Sequence, residues 1–366
     1  MHDDPARVER LDLAPGRRIL VISDIHGNLP YLKGALARAG FSAGDELIFD
    51  GDFLEKGGQS LETLRCIMAL CRAGNAHAVC GNCDDWANIY SPKHSAGLDE
   101  RVLRYILWKK SGLLWDMFNL CGIDPCELDD FSLAKAKLRD AFPEEWAFLA
   151  ALPHAIETES FVFAHAGMRP DLTLRAQTAG DLDRCDSFLT RGWRFDKWVV
   201  VGHWPVMLYG TDRVCSNPIV DREKKIVSID GGCVLKDDGQ LNVLIIPDRD
   251  SDSFGFAAYD PFPERKVLEP QTGGGRSYYI RWGDNRVQVL RRGGEFSRCR
   301  HVRTGYEMDI LTKYLYTDNE FTDCNDCTDY VLPLCEGDRV RVVEETSRGW
   351  FVKHKGWSGW YYGELE

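Results

Sequence analysis

Short apolar runs, each ending on a polar residue able to bind metal, set the pattern of the first two-thirds of this chain. Arg18-Ile-Leu-Val-Ile-Ser23 runs into Asp24-Ile25-His26, Glu46-Leu-Ile-Phe-Asp50 into Gly51-Asp52, and His77-Ala-Val-Cys80 into Gly81-Asn82-Cys83-Asp84. Farther on, Phe161-Val-Phe-Ala164 runs into His165, and Trp198-Val-Val-Val-Gly202 into His203. Runs this short, bounded by turn residues, predict buried strands. Between the first three, residues 32–39 and 61–71 carry apolar side chains at helical spacing, with Gly40 and Gly74 where helix ends belong. Residues 17 to about 85 therefore read as strand, helix, strand, helix, strand, in units of the ~30-residue length of a βαβ crossover. From about 98 to 152 the pattern is helical, and Leu103, Ile106, Leu107, Leu113, Leu114, Trp115 and Phe118 predict a helical insertion. Strands resume at Phe161, Trp198, Lys225-Ile-Val-Ser-Ile229 and Leu241 to Ile246.

The pattern changes after Ile246. Pro247 to Gly275 is rich in Pro, Asp and Gly and reads as a linker or long surface loop. Tyr278 to Trp282 and Val287 to Leu290 alternate around Gly283-Asp-Asn285, a hairpin signal. Short strands follow at Val340-Arg-Val-Val343, Trp350-Phe-Val352 and Gly359-Trp-Tyr-Tyr-Gly363. A weak internal likeness between the stretches from Val287 to Tyr316 and from Val340 to Leu365 predicts one or two SH3-like barrels. The expected organisation is a domain over 1–255, a linker over 256–276 and a β-rich region over 277–366.

Composition narrows the function. The 366 residues carry a formal net charge of −12 and no basic run interleaved with aromatics, which argues against a nucleic-acid partner. No apolar run approaches the ~18 residues needed to span a bilayer, and the polar start Met1-His-Asp-Asp-Pro-Ala-Arg has no signal-peptide core. The 13 cysteines are odd in number and irregularly spaced, so reduced thiols in a cytoplasm are expected. Of the two Cys-x-x-Cys pairs, Cys80 belongs to a buried strand, while Cys324 and Cys327 fall in an acidic loop.

A single Asp or His at a strand end is ordinarily a turn residue or a helix cap. An ordered series of them is different, because open α/β sheets build their sites at the carboxyl ends of strands. Asp24, His26, Asp52, Asn82, His165 and His203 can therefore converge on one cleft. Two carboxylates, an amide oxygen and three imidazoles suit two borderline divalent cations. Asp52 is the natural bridge, with Asp24 and His26 completing one position and Asn82, His165 and His203 the other. Such a pair polarises phosphoryl oxygens and acidifies a bridging water to hydroxide, so the expected chemistry is phosphoester hydrolysis. Transition-state charge on the equatorial oxygens needs cationic donors, and Lys56 and Arg191 are the candidates.

Asp24-Ile-His26, Gly51-Asp52 through Lys56-Gly57, Gly81-Asn82, His165-Ala-Gly167 and Gly202-His203 resemble the calcineurin-like metallophosphoesterases over about residues 17 to 246. Asp24-Ile-His-Gly-Asn28 and Ser228-Ile-Asp-Gly-Gly-Cys233 make the chain most similar to the phosphoprotein phosphatase branch, which includes serine/threonine phosphatases and diadenosine tetraphosphatases. The resemblance implies a four-layer α/β/β/α sandwich, two divalent metals (manganese first; iron, zinc, nickel or cobalt as alternatives) and metal ligands at the six positions above. It implies phosphate-binding roles at Lys56 and Arg191, where the branch has arginines, with Asp52, Asn82 and Arg191 as the catalytic set. Two departures stand out. The branch has His after the Asn of the third motif, as leaving-group acid, and this chain has Cys83; it has Asp-Arg where this chain has Glu55-Lys56. Lys gives a point charge in place of a planar fork. A thiol with an unperturbed pKa near 8.5 is a poor acid beside imidazole near 6.5. Some phosphodiesterases of the wider superfamily share Gly-Asn-Cys-Asp.

The expected substrate is a phosphoprotein, with a nucleotide polyphosphate or a phosphodiester as alternatives and a peptide partner for the carboxy-terminal module. The competing class is a non-catalytic scaffold of the same fold that binds partners through that module.

Overall fold

The computed structural model describes residues 4–86, 96–128, 131–316 and 321–366. They form two compact units interleaved in sequence. The first runs to Pro205 and resumes at Pro218–Leu235 and Gly239–Asp260; the second comprises Val206–Asn217, Lys236–Asp238 and Pro261–Glu366.

The first unit is built on two sheets. One has the order β12 (Gly255–Tyr259), β11 (Leu241–Ile246), β2 (Ile19–Ile22), β3 (Glu46–Asp50), β4 (Ala76–Val79). Strands β2, β3 and β4 are parallel and are joined by α1 (Leu29–Ala39) and α2 (Ser60–Arg72), while β11 runs antiparallel to β2. The helices end within two residues of Gly40 and Gly74, as the periodicity predicts. The other sheet has the order β1 (Val8–Arg10), β5 (Ala155–Glu157), β6 (Phe161–Phe163), β7 (Trp198–Val201), β10 (Ile226–Ser228), β9 (Ile219–Asp221).

The strands read as unbroken apolar runs because both faces are covered. Ile19, Val21, Ile48 and Val79 pack against Phe161, Phe163 and Val200 of the other sheet. Leu20, Ile22, Leu47 and Phe49 face the opposite way, onto Leu32, Leu64, Ile67 and Phe118 of the helices. Ala155, Val162, Ala164, Leu174 and Leu182 make a smaller cluster on the second sheet, beside helix Ala179–Asp183. The result is a mixed α/β fold in which two sheets pack face to face, with helices over the outer face of the first. Each fully buried Leu, Ile or Phe side chain contributes about 1.5–3 kcal/mol. The expected helical insertion is present as helices Ala96–Lys109, Leu113–Leu120, Phe131–Ala141 and Pro143–Ala151, with Ile106, Leu113, Leu114 and Phe118 buried.

The second unit is a set of antiparallel sheets. A five-stranded sheet orders β13 (Glu264–Lys266), β20 (Arg339–Thr346), β21 (Gly349–His354), β22 (Trp357–Tyr361) and β8 (Val214–Cys215) over a core of Val267, Val340, Val352 and Tyr361. A four-stranded sheet orders β17 (Glu307–Leu311), β16 (Phe296–His301), β15 (Arg286–Arg291) and β18 (Phe321–Asp323) over Val287, Cys299, Met308 and Ile310. A separate pair joins β14 (Tyr279–Ile280) to β19 (Cys327–Thr328).

Three local expectations are corrected. The stretch read as a linker over 256–276 holds β13 and most of β12, because each finds a sheet edge to pair with despite its Pro and Gly content. The turn at Gly283 forms, with Asp284 N–H donating to Arg281 O at 3.0 Å, but its arms part: β14 pairs with β19, and β15 with β16 and β18. Cys324 is fully buried in the apolar core of the four-stranded sheet, where its acidic neighbours predicted a loop.

Candidate metal centre

The carboxyl ends of β2, β3, β4, β6 and β7 converge on one place, and the loops leaving them are stitched together. Asp24 N–H donates to Gly51 O at 3.0 Å, His26 N–H to Asp52 O at 3.0 Å, and Gly202 N–H to His165 O at 2.8 Å. Fitting so many chain segments together needs small residues at the crossings. A Cβ on Gly81 would lie 2.2 Å from Asp52 N, and one on Gly202 would lie 2.1 Å from Asp24 Oδ2. Gly-Asn and Gly-His are therefore packing requirements as well as motifs. The turns are tight enough that Asp24, His26, Asp52 and His203 all take left-handed backbone, with φ of 55°, 51°, 51° and 65°. Each costs roughly 1–3 kcal/mol, and such strain gathers at functional sites.

Asp24, His26, Asp52 and His165 are at most 3% exposed. Two sets of donor atoms lie mutually within 4.8 Å: His26, Asp52 and Cys83, and Asp24, Asp52 and His165. Asp52 belongs to both. Asp24 Oδ1 and His26 Nε2 have no hydrogen-bond partner, and His165 Nε2 meets only Asp52 Oδ1, at 3.3 Å. Leaving a buried polar atom unsatisfied costs about 1–3 kcal/mol, more for a charged one, so such atoms gathered on one cluster fit donors aimed at cations. The imidazoles are pre-oriented for this: Nδ1 of His26 faces Leu54 O at 3.3 Å, and Nδ1 of His165 faces Asp50 O at 2.9 Å, turning Nε2 inward.

Asp24 meets rings from both expected positions: its Oδ1 lies 3.9 Å from His26 Nε2, and it shares a donor set with His165, whose Nε2 lies 3.3 Å from Asp52 Oδ1. Asn82 and His203 satisfy each other, Oδ1 to Nδ1 at 2.8 Å, at the rim of the cluster. His203 N–H also donates to Asp24 Oδ2 at 3.0 Å. Lys56 sits close enough to affect the charge on His26 and Cys83. Arg191 is farther out: it is exposed and donates to Asp186 O at 3.0 and 3.2 Å, and Asp186 Oδ1 in turn meets His203 Nε2 at 3.0 Å. Beside it opens a cavity of about 500 Å³ whose lining includes Arg169, Arg184, Cys185 and Trp193.

Electrostatics follow from burial and crowding. Burial raises the Asp24 carboxyl well above its usual range, reinforced by Asp230 and Asp52. Burial also works against ionised Asp52, but His165, His26 and the Cys83 N–H overcome it and hold this carboxylate below the usual range. Desolvation disfavours the His165 imidazolium, yet Asp52 and Asp24 outweigh it and raise that ring well above normal. Burial lowers His26 to about 4, so it offers a neutral ring. The cluster thus gathers its own positive charge onto the carboxylates, a role a cation would take over, releasing protons.

Sequence reasoning passed over several groups here. Asp186 gave no signal, because it lies in irregular chain 17 positions before His203. Asp84, raised to about 8 by burial and by Asp52, accepts from Leu54 N at 3.0 Å and Gly81 N at 3.0 Å, tying the second motif to the third. Glu55 accepts from Tyr105 O–H at 3.0 Å and Leu113 N–H at 2.9 Å, anchoring the helical insertion to the metal loop. Its place in a Glu-Lys pair marked the position but not this role.

The family model for calcineurin-like phosphoesterases matches residues 17–225, more than half of the chain. The chain belongs to the calcineurin-like phosphoesterase family. No curated protein matches the sequence. Among solved structures, the chain is similar to a provisionally assigned diadenosine tetraphosphatase, at 20% identity and a TM-score of 0.44, covering 70% of this chain and 99% of that one. It is similar also to a metallophosphoesterase from Sphaerobacter thermophilus, at 18% identity and a TM-score of 0.39, covering 67% and 89%. A protein serine/threonine phosphatase from Saccharomyces cerevisiae matches at 12% identity and a TM-score of 0.41, covering 72% and 86%. Family membership makes this a metal-dependent hydrolase of phosphorylated substrates, and the donor sets around Asp52 fit divalent ions. Among the described residues, no helix is long and apolar enough to cross a membrane.

Proposed function

We propose that this protein is a dinuclear metal-dependent phosphoesterase that hydrolyses phosphate esters or anhydrides, of the serine/threonine phosphatase kind. The observation that carries the reading is the pair of buried donor sets that share Asp52. Two divalent cations, when bound, would polarise the phosphoryl group and acidify an attacking water. Around them the chain supplies the rest. Asp24, His26, Asp52 and His165 are held by backbone contacts and burial, so they need little reorganisation. Asn82 and His203 close the rim, the latter oriented by Asp186. Lys56 and Arg191 take the charge that develops on the equatorial phosphoryl oxygens.

Cys83 brings no imidazole for leaving-group protonation, and burial pushes its thiol well above the usual range, making it a weaker acid still. Aryl phosphates and phosphoanhydrides, whose leaving groups need little protonation, should therefore be hydrolysed faster than alkyl phosphoserine. The cavity lined by Arg169, Arg184, Arg191 and Trp193, together with Asp171 and Asp181, favours the second reading, a nucleotide polyphosphate hydrolase, since it puts cations and an aromatic ring next to Arg191. The carboxy-terminal sheets are SH3-like in this reading. Phe296, Trp360 and Tyr362 line a cavity of about 220 Å³ there, the kind of aromatic groove that takes a peptide. The thirteen cysteines are all free, which suits a cytoplasmic protein.

Hydrolysis of a chromogenic aryl phosphate with added manganese tests the reading. Turnover abolished by Asp52→Asn supports it; inactivity with every divalent metal tried would favour the scaffold alternative.

A further inference from the structure

We propose that the Sγ of Cys83 is itself a metal ligand, so that the two metal positions are chemically unequal: one bound through N, O and S, the other through N and O alone. The inference rests on the dinuclear reading above and adds a ligand to it.

Position comes first. Sγ of Cys83, a ring nitrogen of His26 and a carboxylate oxygen of Asp52 lie within 4.8 Å of one another. Thiolate, imidazole and carboxylate ligands sit about 2.0–2.3 Å from a zinc-like ion, so donors around one ion lie within about 4.6 Å of one another, close to the spacing found here. The second set, Asp24, Asp52 and His165, contains no sulfur.

Orientation comes next. His26 is 2% exposed, and its Nε2 has no partner, while its Nδ1 faces the Leu54 carbonyl. That contact is the one that metal-bound imidazoles use to fix their tautomer. Cys83 is tied to the same carboxylate, its backbone N–H donating to Asp52 Oδ1 at 2.7 Å. The Asn82 Nδ2 donates to Sγ at 3.3 Å, so sulfur already acts as an acceptor toward the cluster. Asn82 meanwhile spends its oxygen on His203. On the His26 side, Asp24 Oδ1 lies 3.9 Å from His26 Nε2, and the Cys83 sulfur adds a further donor to the nitrogen and oxygens there.

The consequence is selectivity. Thiolate draws zinc, cobalt, nickel or iron in preference to manganese or magnesium, whereas the Asp24/His165 set accepts harder ions. Binding breaks the S–H bond, forms an S–metal bond and releases one proton to solvent. Replacing the leaving-group acid of related enzymes with Cys would then exchange a proton donor for a metal-selecting ligand.

Cobalt(II) alone is the probe. The full chain, stripped with chelator, is titrated with cobalt while binding is counted by equilibrium dialysis and absorption is recorded. The expected result is an intense thiolate-to-cobalt charge-transfer band in the near ultraviolet. That band should vanish in Cys83→Ser and in Cys83→His while cobalt remains bound and its weaker visible bands persist. Zinc affinity should fall more than about 10-fold in Cys83→Ser, with manganese affinity at the other position unchanged. Circular dichroism checks the fold, and Cys83→Ala substitutes for a serine variant that fails to fold. Cobalt bound without the band, or a band that survives in the variants, overturns the ligand assignment and leaves the dinuclear reading standing. No cobalt bound at all overturns both.

Discussion

Charge is handled in opposite ways at the strand ends of the first unit and on the sheets of the second. At the strand ends it is buried and under-satisfied: Asp24 Oδ1, both oxygens of Asp50 and His26 Nε2 have no hydrogen-bond partner. On the second unit most of it is paired near the surface, as in Arg300–Glu307, Lys313–Glu344 and Arg348–Asp309, each at 2.7 Å, with Asp238 and Lys353 as buried exceptions. Backbone strain divides the same way. Left-handed non-glycine residues include Asp24, His26, Asp52, Glu55, Lys56 and His203 around the centre, against Lys355 alone among the described residues of the second unit. Exposed pairs are worth about 0–1 kcal/mol and impose little. Buried unsatisfied groups and strained turns destabilise the chain that holds them, so they persist where something beyond the chain compensates. A divalent ion held by the donor sets around Asp52 would supply that compensation.

The contrast is broken most sharply at the shared carboxylate. If two ions share this carboxylate as proposed, Asp52→Asn should cut the affinity for both by more than about 100-fold, since ligands exceed the 10–100-fold effect of the groups that orient them. Elemental analysis after dialysis measures it, and loss of one ion with retention of the other would show that Asp52 is not common to both. Asp186→Asn, which disturbs only the orientation of His203, should weaken metal binding or activity by about 10–100-fold. An unchanged variant would make that contact incidental.

A pH experiment comes next in size. Burial raises the Glu55 carboxyl from 4.5 to about 7. The folded protein holds this proton where the unfolded chain has lost it. Its contribution to stability is therefore complete below about pH 4.5 and is lost as pH rises through about 7. Glu55→Gln should remove that slope, so urea unfolding of the parent should worsen relative to the variant across this window; parallel curves would place the titration elsewhere. On the second unit the effects are smaller. Tyr361, fully buried with its hydroxyl donating to Glu269 O at 2.8 Å, should lose about 1 kcal/mol of stability as Tyr361→Phe, with hydrolysis untouched. Arg300→Ala should change unfolding by no more than about 0.5 kcal/mol, since Glu307 keeps Arg298 as a partner, and a larger loss would mean that the Arg298, Glu307 and Asp309 pairs are strongly coupled.

What the sequence discloses follows from how local each signal is. The strand ends were legible because Ile19–Ile22, Glu46–Asp50 and Trp198–Val201 are covered on both faces and must read as apolar runs. Convergence of Asp24, Asp52 and His165 followed from topology alone. Which rings crowd which carboxylate did not, because it depends on side-chain aim: Nδ1 of His165 faces Asp50 O at 2.9 Å, turning Nε2 toward Asp52. Glu55 looked like a weak match to a motif, and its partners Tyr105 and Leu113 lie 50 and 58 positions away. Gly283 gave a correct turn and a wrong hairpin, since a turn is set by three or four residues and a strand partner by the whole sheet. Val214–Cys215 was missed altogether, two residues whose only mark is pairing with Trp357 and Ser358.

That last pairing has a consequence for how such a protein can be inherited. Strand β8 is encoded only eleven positions after His203, yet it forms an edge of a sheet whose other members come from the last third of the chain. Cutting at Asp260 would strip Val214 of its neighbour and uncover Met207, whose cluster includes Tyr279. The tail is thus no detachable cassette that recombination could trade between catalytic partners at a single breakpoint. A graft of the tail onto another protein would have to carry Val206–Asn217 with it to keep this sheet intact.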